Sequence, residues 1–255
     1  MHPILIELGP LTIHTYGLFV ALAFLISIWW GQREARLAGL DASLVPDLAL
    51  AICFSAILGA RLVYVIIEFP FFLENPLHAF MFWRGGLVFS GGLALAIVVG
   101  WFVVQRKGQS PLRWCDAAAP AIALGQAIGR LGCLGAGCCY GKPTELPWSI
   151  VFNAPNSLAP TGIALHPTQI YHALASLFCF LLLVLFRRPL KMPGQRLGVY
   201  LVCYPVLRFI IEFFRNDHRG AVGPISLTQV MAILFFCLGL WLLLRNSKRE
   251  HHYER

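Results

Sequence analysis

Three arginines lie in the middle of apolar runs that are long enough to cross a membrane: Arg61, Arg130 and Arg208. A guanidinium does not lose its proton in proteins, and its transfer to the centre of a bilayer costs at least about 2.5 to 3.5 kcal/mol. Each arginine must therefore face protein, water or an anion. Three such cations indicate a site for a negatively charged ligand. Structural pairing with an acid or with carbonyls is the alternative, above all for Arg61.

The surroundings of Arg130 favour a phosphate ligand. Gly125, Gly129 and Gly132 clear one helical face around it. Small neighbours let a phosphate reach the guanidinium, whose fork of donors suits the phosphate oxygens. Close helix packing with a structural ion pair is the alternative.

Four residues share a helical face around the third arginine, at spacings of four, four and three: Tyr204, Arg208, Glu212 and Arg215. Residues at these spacings are neighbours on a helix surface. We expect Glu212 to neutralise one arginine, so that the face presents one net positive charge. A buried ion network without a function is the alternative.

A polar segment, HPTQIY at 166–171, opens the fifth apolar run. Pro167 suits the first turn of a helix, where unpaired N–H groups and the helix dipole favour an anion. His166, Gln169 and Tyr171 offer hydrogen bonds to a polar head group. Tyr16, near the start of the first run, is either an interface anchor or a further donor to such a group.

Two glycine pairs surround the start of the third run, in the sequence GGLVFSGG at 85–92. Glycine pairs permit close backbone approach to a neighbouring helix or to a ligand head group. Both alternatives stay open for Gly91 and Gly92.

Composition places these residues in a membrane protein. Of 255 residues, 58% are hydrophobic and 13% are charged, whereas about 25% are charged in an ordinary soluble domain. A membrane crossing takes about 20 residues. Apolar runs predict an all-α integral membrane protein, a bundle of seven transmembrane helices at about 13–31, 47–67, 87–104, 115–135, 166–186, 196–214 and 226–244.

The basic residues orient this bundle. A net charge of +8 would suggest a nucleic-acid partner in a soluble protein, but here most basic residues follow the first, third, fifth and seventh runs. The positive-inside rule places those connections in the cytoplasm. We therefore predict an outer N-terminus, a cytoplasmic C-terminus and no nucleic-acid partner.

The chain reads as a single integral membrane domain over 1–255, with two long outer loops at about 68–86 and 136–165. The first loop is rich in aromatic residues, which favours a position along the membrane surface. The second loop has four prolines and is expected to be irregular. Long loops over a bundle of short connections commonly carry the site, so we expect an outer active face.

Three of the eight cysteines cluster where the fourth run reaches the outer face: Cys133, Cys138 and Cys139. A thiol-redox or metal site is one interpretation. The vicinal pair makes zinc chelation by all three awkward, and the sequence offers no obvious fourth ligand. We therefore favour a disulfide bond from Cys133 to Cys138 or Cys139.

Taken together, these motifs resemble the prolipoprotein diacylglyceryl transferases, integral membrane enzymes of bacteria. The resemblance runs through most of the chain and rests on HTYG at 14–17, GGLVFSGG at 85–92, GRLG at 129–132, HPTQIY at 166–171 and RFIIEFFR at 208–215. It implies transfer of the diacylglyceryl group of phosphatidylglycerol to the lipobox cysteine of preprolipoprotein signal peptides. The products would be a thioether and glycerol phosphate. The implied location is the bacterial cytoplasmic (inner) membrane, in contact with membrane lipid.

The chain departs from the family pattern at three places. Ser90 stands where the family usually has a histidine regarded as important for activity. After Arg130, two asparagines and a glutamate are replaced by Cys133, Ala136 and Cys138. His172 stands where a glutamate commonly follows Tyr171. These departures indicate a divergent member.

The implied reaction needs a thiolate and must accommodate charge on the departing phosphate. We assign Arg130 and Arg208 to the phosphate, with Glu212 orienting Arg208. His166 is the first candidate for a general base and His172 the second, although no base is needed if the arginines depress the thiol pKa enough. We expect neither a cofactor nor a metal. The predicted substrate-binding residues are Tyr16, Ser90, Gly91, Gly92, Gln169, Tyr171, Tyr204 and Arg215.

A transporter or a non-catalytic protein that binds anionic lipid is the main rival interpretation. Such a protein would use the same arginines to recognise the lipid. The sequence has no internal repeat and no interrupted pair of helices in corresponding halves, which argues against a typical transporter.

Overall fold

The computed structural model describes residues 3–8, 11–187, 190, 192–216, 221–222 and 225–253. Within these residues the chain forms eight α-helices and three short antiparallel strand pairs. The helices are α1 (Thr15–Leu37), α2 (Leu44–Ile67), α3 (Phe69–Glu74), α4 (Phe89–Arg106), α5 (Pro111–Ala136), α6 (Thr168–Leu185), α7 (Gln195–Glu212) and α8 (Leu227–Tyr253). The strand pairs are β1 (Ile4–Leu8) with β2 (Leu11–His14), β3 (Ile150–Val151) with β4 (Ala164–Leu165), and β5 (Ala221–Val222) with β6 (Ile225–Ser226).

In the described part of the chain, six helices are long and apolar enough to cross a membrane: α1, α2, α4, α5, α6 and Leu227–Arg245 of α8. The prediction of a helical, multi-pass membrane protein is confirmed at this level. Helix α7 is as long as α6, but it carries Arg196, Arg208 and Glu212 and is therefore less apolar. The seventh crossing and the orientation of the termini stay predictions.

The helices pack in two compact units, one of Met1–Glu34 with Cys115–Arg255 and one of Ala35–Trp114. In the first unit, α5, α6 and α7 enclose a core in which small and large side chains alternate. Small alanines on α5 leave room for the bulky residues of its neighbours. The buried members of this core are Ala119, Ala123, Cys179, Phe180, Leu183 and Tyr200.

Glycines bring α5 close to α1 in the first unit. A Cβ atom on Gly125 would lie 2.2 Å from the Ser27 hydroxyl oxygen, and one on Gly132 would lie 2.9 Å from the Phe19 Cβ atom. These two glycines therefore serve helix packing, and the expectation that they clear space for a phosphate is wrong. Gly129 differs, because no described atom lies within 4 Å of the position that its Cβ would take.

A buried carboxylate joins three segments at the other end of α1. The Glu34 side chain is fully buried, and its two oxygens accept hydrogen bonds from Arg187 at 2.5 Å and from Arg196 at 2.9 Å. Two cations therefore meet one buried anion, and of the two only Arg196 is itself buried. Loss of Glu34 would leave the buried Arg196 without a counter-ion, which is strongly destabilising.

The second unit is built on a close contact between α2 and α4. A Cβ atom on Gly91 would lie 2.5 Å from the Gly59 carbonyl oxygen, and one on Gly92 would lie 2.7 Å from the Ala56 carbonyl oxygen. Both glycines are buried, whereas Ser90 is exposed. The structure therefore accounts for Gly91 and Gly92 by helix packing. Their role in substrate binding, like that of Ser90, stays a prediction.

The first long loop is held by Arg61 in this second unit. The Arg61 guanidinium donates to the carbonyl oxygens of Ala79 at 2.9 Å and Gly85 at 2.7 Å, and also to those of His78 and Gly86. The structure thus gives Arg61 the carbonyl-pairing role that the sequence left open. The loop contains α3 and two short 3-10 turns, and its exposed aromatic residues agree with a position at an interface: Phe69, Phe71, Phe80, Phe82 and Trp83.

The second long loop is tied to the end of α7 by backbone hydrogen bonds. The Lys142 amide donates to the Phe214 carbonyl oxygen at 2.8 Å, and the Asn216 amide donates to the Tyr140 carbonyl oxygen at 3.3 Å. The His166 amide donates to the Lys142 carbonyl oxygen at 2.9 Å on the other side. The start of this loop, the residues that follow α7 and the segment just before α6 are therefore fixed together.

Candidate functional site

The site lies in the first unit, where the ends of α5, α6 and α7 bring charged side chains together. On α7, Arg208 Nη1 donates to Glu212 Oε2 at 2.5 Å. The Nε atom of Arg215 lies 3.7 Å from the same oxygen. The second carboxylate oxygen accepts a hydrogen bond from the Ser226 hydroxyl at 3.0 Å. Glu212 therefore serves both arginines, as the helical spacing predicted for at least one of them.

His172 of α6 lies between the two arginines. Its Nε2 atom is 3.3 Å from Nη1 of Arg208 and 3.3 Å from Nη1 of Arg215. Guanidinium groups only donate hydrogen bonds, so Nε2 must be an acceptor. The ring is therefore neutral with its proton on Nδ1, and among the described residues that buried nitrogen has no partner.

This geometry removes His172 as a general base. The nitrogen that would accept a proton already receives two hydrogen bonds from cations, and the ring is fully buried. A protonated ring would place a third positive charge against two guanidiniums. The sequence-based suggestion of His172 as the second candidate base is wrong for this reason.

Arg130 joins the same cluster from the end of α5. Its Nη1 atom lies 3.7 Å from the Cys139 sulfur. It is also close enough to Arg215, Tyr204 and His172 for electrostatic interaction. Three guanidiniums and one carboxylate, those of Arg130, Arg208, Arg215 and Glu212, therefore share one region. The structure brings together the two arginines that the sequence assigned to phosphate.

The loop after α5 holds its cysteines beside Arg130. Helix α5 ends at Ala136, because Gly137 turns the chain with φ of +75°. Cys139 also has a positive φ, +59°, which is uncommon for a residue with a side chain. The Gln169 amide donates to the Cys138 carbonyl oxygen at 2.8 Å, and the Thr168 hydroxyl donates to that of Cys139 at 2.6 Å.

Gln169 makes a contact that the sequence did not predict. Its side chain is fully buried, and its amide nitrogen is used by the Cys138 carbonyl oxygen. The other end of the amide, Oε1, has no partner among the described residues. Gln169 thus positions the cysteine loop, and a direct contact with a head group stays a prediction.

The three cysteines are thiols in this structure. None of the eight cysteines, all of which lie in the described residues, is in a disulfide bond. The predicted link from Cys133 to Cys138 or Cys139 is therefore wrong. Hydrogen bonds from the Cys133 and Cys138 thiols, and then the charge of Arg215, lower the pKa of Cys139, while hydrogen bonds with Cys133 and Cys139 raise the pKa of Cys138.

His166 and Tyr171 contact each other near the start of α6. His166 Nδ1 is 3.2 Å from the Tyr171 hydroxyl oxygen, which also accepts a hydrogen bond from Trp148 Nε1 at 2.8 Å. Phe214 packs edge-on against both rings. His166 is only partly buried, so its second nitrogen keeps it a candidate base.

The two remaining predicted tyrosines, Tyr204 and Tyr16, both lie near the charged cluster. Tyr204 stacks on Tyr200 with ring centroids 5.6 Å apart and interacts electrostatically with Arg130 and Arg208. Tyr16 is 46% exposed, near Arg130 and the three cysteines. Both tyrosines therefore border the charged region, although hydrogen bonds to a head group stay a prediction.

Sequence reasoning missed Thr168, which is fully buried and holds the Cys139 carbonyl oxygen. The only sequence feature that could have indicated its role is its position after Pro167 at the start of a helix, where a threonine is usually explained as a helix cap. It also missed the cluster around Glu34, because the sequence offered no sign that Arg187 and Arg196 share one partner.

Comparison with known proteins agrees with this arrangement. A family model described as prolipoprotein diacylglyceryl transferase matches residues 3–245. The chain is similar to a protein of Clostridium tetani, with 34% identity over 94% of this chain and 96% of the relative. It is also similar to one of Thermosynechococcus vestitus, with 36% identity over 94% of this chain and 91% of the relative. Both relatives are named phosphatidylglycerol–prolipoprotein diacylglyceryl transferase.

A third relative, from Clostridium perfringens, has 31% identity over the whole of this chain and 98% of its own length, and it is named phosphatidylglycerol–prolipoprotein diacylglyceryl transferase 2. The matches cover nearly all of both partners, so they concern the whole protein and not one segment. The resemblance seen in the sequence motifs is confirmed. This chain belongs to the prolipoprotein diacylglyceryl transferase family.

Proposed function

We propose that this protein transfers the diacylglyceryl group of phosphatidylglycerol to the lipobox cysteine of preprolipoproteins. The products are a thioether on the acceptor and glycerol phosphate. The names of the relatives supply the substrates. The observation that carries the proposal for this chain is the convergence of Arg130, Arg208 and Arg215 around His172 and the Glu212 carboxylate.

The charge of this cluster suits a phosphodiester. Over the described residues, the three guanidiniums and the Glu212 carboxylate leave two positive charges, while His172 is a neutral acceptor. A phosphatidylglycerol phosphate has one negative charge, and a second develops as the carbon–oxygen bond breaks. Fixed cations in a region of low dielectric constant stabilise that developing charge more than they stabilise the ground state. Arg130 and Arg208 are the residues that we assign to it.

Orientation comes from the side chains that surround the arginines. Glu212 and His172 both hold Arg208, so its guanidinium has few alternative positions. Tyr204 and Tyr16 border the region and would donate hydrogen bonds to the glycerol head group. His166 would take the thiol proton if a base is required, because its imidazole is only partly buried and one ring nitrogen is not used by Tyr171.

The same proposal includes the topology. Seven crossings, with α7 as the least apolar, would place the N-terminus outside and the C-terminus in the cytoplasm. The chain would form one integral domain of the bacterial inner membrane with its active face outward. Such a placement gives the site access to phosphatidylglycerol and to signal peptides from within the membrane.

A direct assay tests the proposal. Purified protein in phosphatidylglycerol nanodiscs is incubated with a lipobox peptide, and the peptide mass is measured. We expect a mass gain equal to one diacylglyceryl group. A peptide with serine in place of cysteine, and nanodiscs of phosphatidylcholine, are the controls. Protein that binds phosphatidylglycerol without forming the adduct would overturn the transferase assignment in favour of a lipid-binding protein.

A further inference from the structure

The sulfur atoms of Cys133, Cys138 and Cys139 lie within 4.8 Å of one another. Cys133 is buried at the end of α5, and the other two are partly buried in the loop that follows. The vicinal pair does not prevent this convergence. Cys139 adopts φ of +59°, and all three sulfurs point to a common region.

The backbone around these cysteines is fixed before any ligand arrives. The Cys138 amide donates to the Cys133 carbonyl oxygen at 3.1 Å. Buried Gln169 and Thr168 hold the carbonyl oxygens of Cys138 and Cys139. A left-handed conformation at a residue with a side chain costs on the order of 1–3 kcal/mol and persists only where the surroundings impose it. Such pre-organisation is typical of ligand sites.

We propose that Cys133, Cys138 and Cys139 form a three-thiolate zinc site whose fourth position binds the thiol of the acceptor cysteine. Catalytic zinc sites have three protein ligands and one open position, and thiolates select soft or borderline metals. Zinc–sulfur bonds of about 2.3 Å separate tetrahedral sulfurs by about 3.8 Å. The sulfurs therefore need to approach by about 1 Å at most.

Charge supports a thiolate site at this position. Three thiolates and Zn²⁺ have a net charge of −1, which the positive surroundings favour. Arg130 lies 3.7 Å from the Cys139 sulfur, and Arg215 interacts with the same sulfur. Among the described residues, no fourth histidine, cysteine or carboxylate joins these three cysteines. The fourth ligand of the proposed site would therefore be water or the substrate.

The zinc ion would supply the thiolate by a route other than the candidate base His166, and this part of the inference rests on the proposed function. His172 is an acceptor for two arginines and cannot take a proton, and Ser90 does not serve as a base near pH 7 without activation. A metal-bound thiol is deprotonated outright, so zinc supplies the nucleophilic thiolate without a general base.

The step balances without an oxidant or a reductant. The acceptor thiol displaces a zinc-bound water and loses its proton to solvent. A sulfur lone pair forms the bond to the glycerol carbon, while the carbon–oxygen bond breaks and its electron pair goes to the phosphate oxygen. Glycerol phosphate leaves from the arginines and takes up a proton from water. The thioether is neutral, binds zinc weakly and is released.

Metal binding is measured first, independently of activity. Zn²⁺ is titrated into chelator-treated protein by calorimetry, and the protein is then treated with N-ethylmaleimide and digested. We expect one zinc ion per chain and protection of all three cysteines from alkylation. Addition of excess chelator to the zinc-loaded protein serves as the control and should restore alkylation of the three thiols. Unchanged alkylation of the three thiols, or their oxidation to a disulfide with no zinc bound, would overturn the site.

Variants then separate ligation from folding. Loss of an outer-sphere partner commonly weakens metal sites 10- to 100-fold, so loss of a ligand in Cys133→Ser, Cys138→Ser or Cys139→Ser should weaken zinc binding at least about 100-fold. Cys237→Ser should bind zinc as the parent does. The unmodified protein with Co²⁺ in place of zinc gives a further test, because tetrahedral thiolate coordination has a strong visible spectrum. An octahedral spectrum would contradict the site even if a variant failed to fold.

Activity distinguishes this inference from the proposed function. If chelator-treated protein transfers the diacylglyceryl group as fast as zinc-loaded protein, the function stands and the zinc role is wrong. If zinc binds with the expected protection but no adduct forms, the function is wrong and the metal site stands. If addition of Zn²⁺ restores transfer at least tenfold, both are supported.

Discussion

Arg208 donates a hydrogen bond to a neutral histidine: its Nη1 atom lies 3.3 Å from Nε2 of His172. A ring nitrogen that accepts from a guanidinium cannot also accept a proton. The pair therefore fixes both the tautomer of the histidine and the direction of the arginine. Because Arg215 donates to the same nitrogen, one neutral ring sets the spacing of two cations.

His172→Gln and His172→Leu should behave differently. Glutamine still offers an acceptor to both arginines, whereas leucine leaves buried donors unsatisfied at about 1–3 kcal/mol each. We expect His172→Leu to lower the initial rate of transfer at least about tenfold and His172→Gln to retain most of it. Rates are measured by peptide mass. Equal losses of transfer rate in both variants would show that the rate does not depend on a hydrogen-bond acceptor at position 172.

Arg130→Ala and Arg208→Ala should each abolish transfer. Removal of one donor to a developing oxyanion commonly costs about 100- to 1000-fold in rate. We expect losses of at least this size in the phosphatidylglycerol assay, with the protein still folded in detergent. Arg106→Ala is the matched control, because that arginine stacks on Phe102 and belongs to neither cluster. Full activity in Arg130→Ala or Arg208→Ala would refute the phosphate assignment.

Glu34→Ala should destabilise the protein without acting on the chemistry. The substitution leaves Arg196 buried without its carboxylate, which commonly costs about 3–5 kcal/mol. We expect a clear drop in the thermal unfolding midpoint in detergent. Glu145→Ala, at an exposed position, should unfold like the parent. A Glu34→Ala protein of parental stability would mean that Arg187 and Arg196 find other partners.

Arg61→Ala should loosen the first long loop. Several carbonyl oxygens between His78 and Gly86 lose their shared donor. We expect faster hydrogen exchange across residues 78–86, whereas the core of α6 should exchange as before. Mass spectrometry of exchanged peptides measures both. Unchanged exchange in the loop would show that its own turns suffice to hold it.

The positions of the long helices could be predicted well, because a bilayer requires about 20 apolar residues in each crossing whatever the partners are. The predicted run at 47–67 agrees with α2, and that at 166–186 agrees with α6. The polar face of α7 could also be predicted, since the contacts of Arg208 and Glu212 are local to one helix. The comparisons confirmed the family that the motifs indicated.

Contacts between distant segments could not be predicted in the same way. Gly125 and Gly132 were read as space for a ligand, but their neighbours on α1 are more than 90 residues away in the sequence. The convergence of three sulfurs depends on the left-handed backbone conformation of Cys139. No pattern of residue types in the sequence predicts that conformation. The shared nitrogen of His172 depends on the packing of α6 against α7.

The hydrogen bonds from Lys142 to Phe214 and from Asn216 to Tyr140 clamp the cysteine loop to the end of α7. Arg215 lies between those two hydrogen-bonded residues, so its backbone is fixed relative to the loop that carries Cys138 and Cys139. In the proposed reaction, a motion that admits a signal peptide would have to move the cysteine loop and Arg215 together, or arise elsewhere in the bundle. Insertion of a single residue between the cysteines and Lys142 would therefore move the cysteine sulfurs relative to the Arg215 guanidinium.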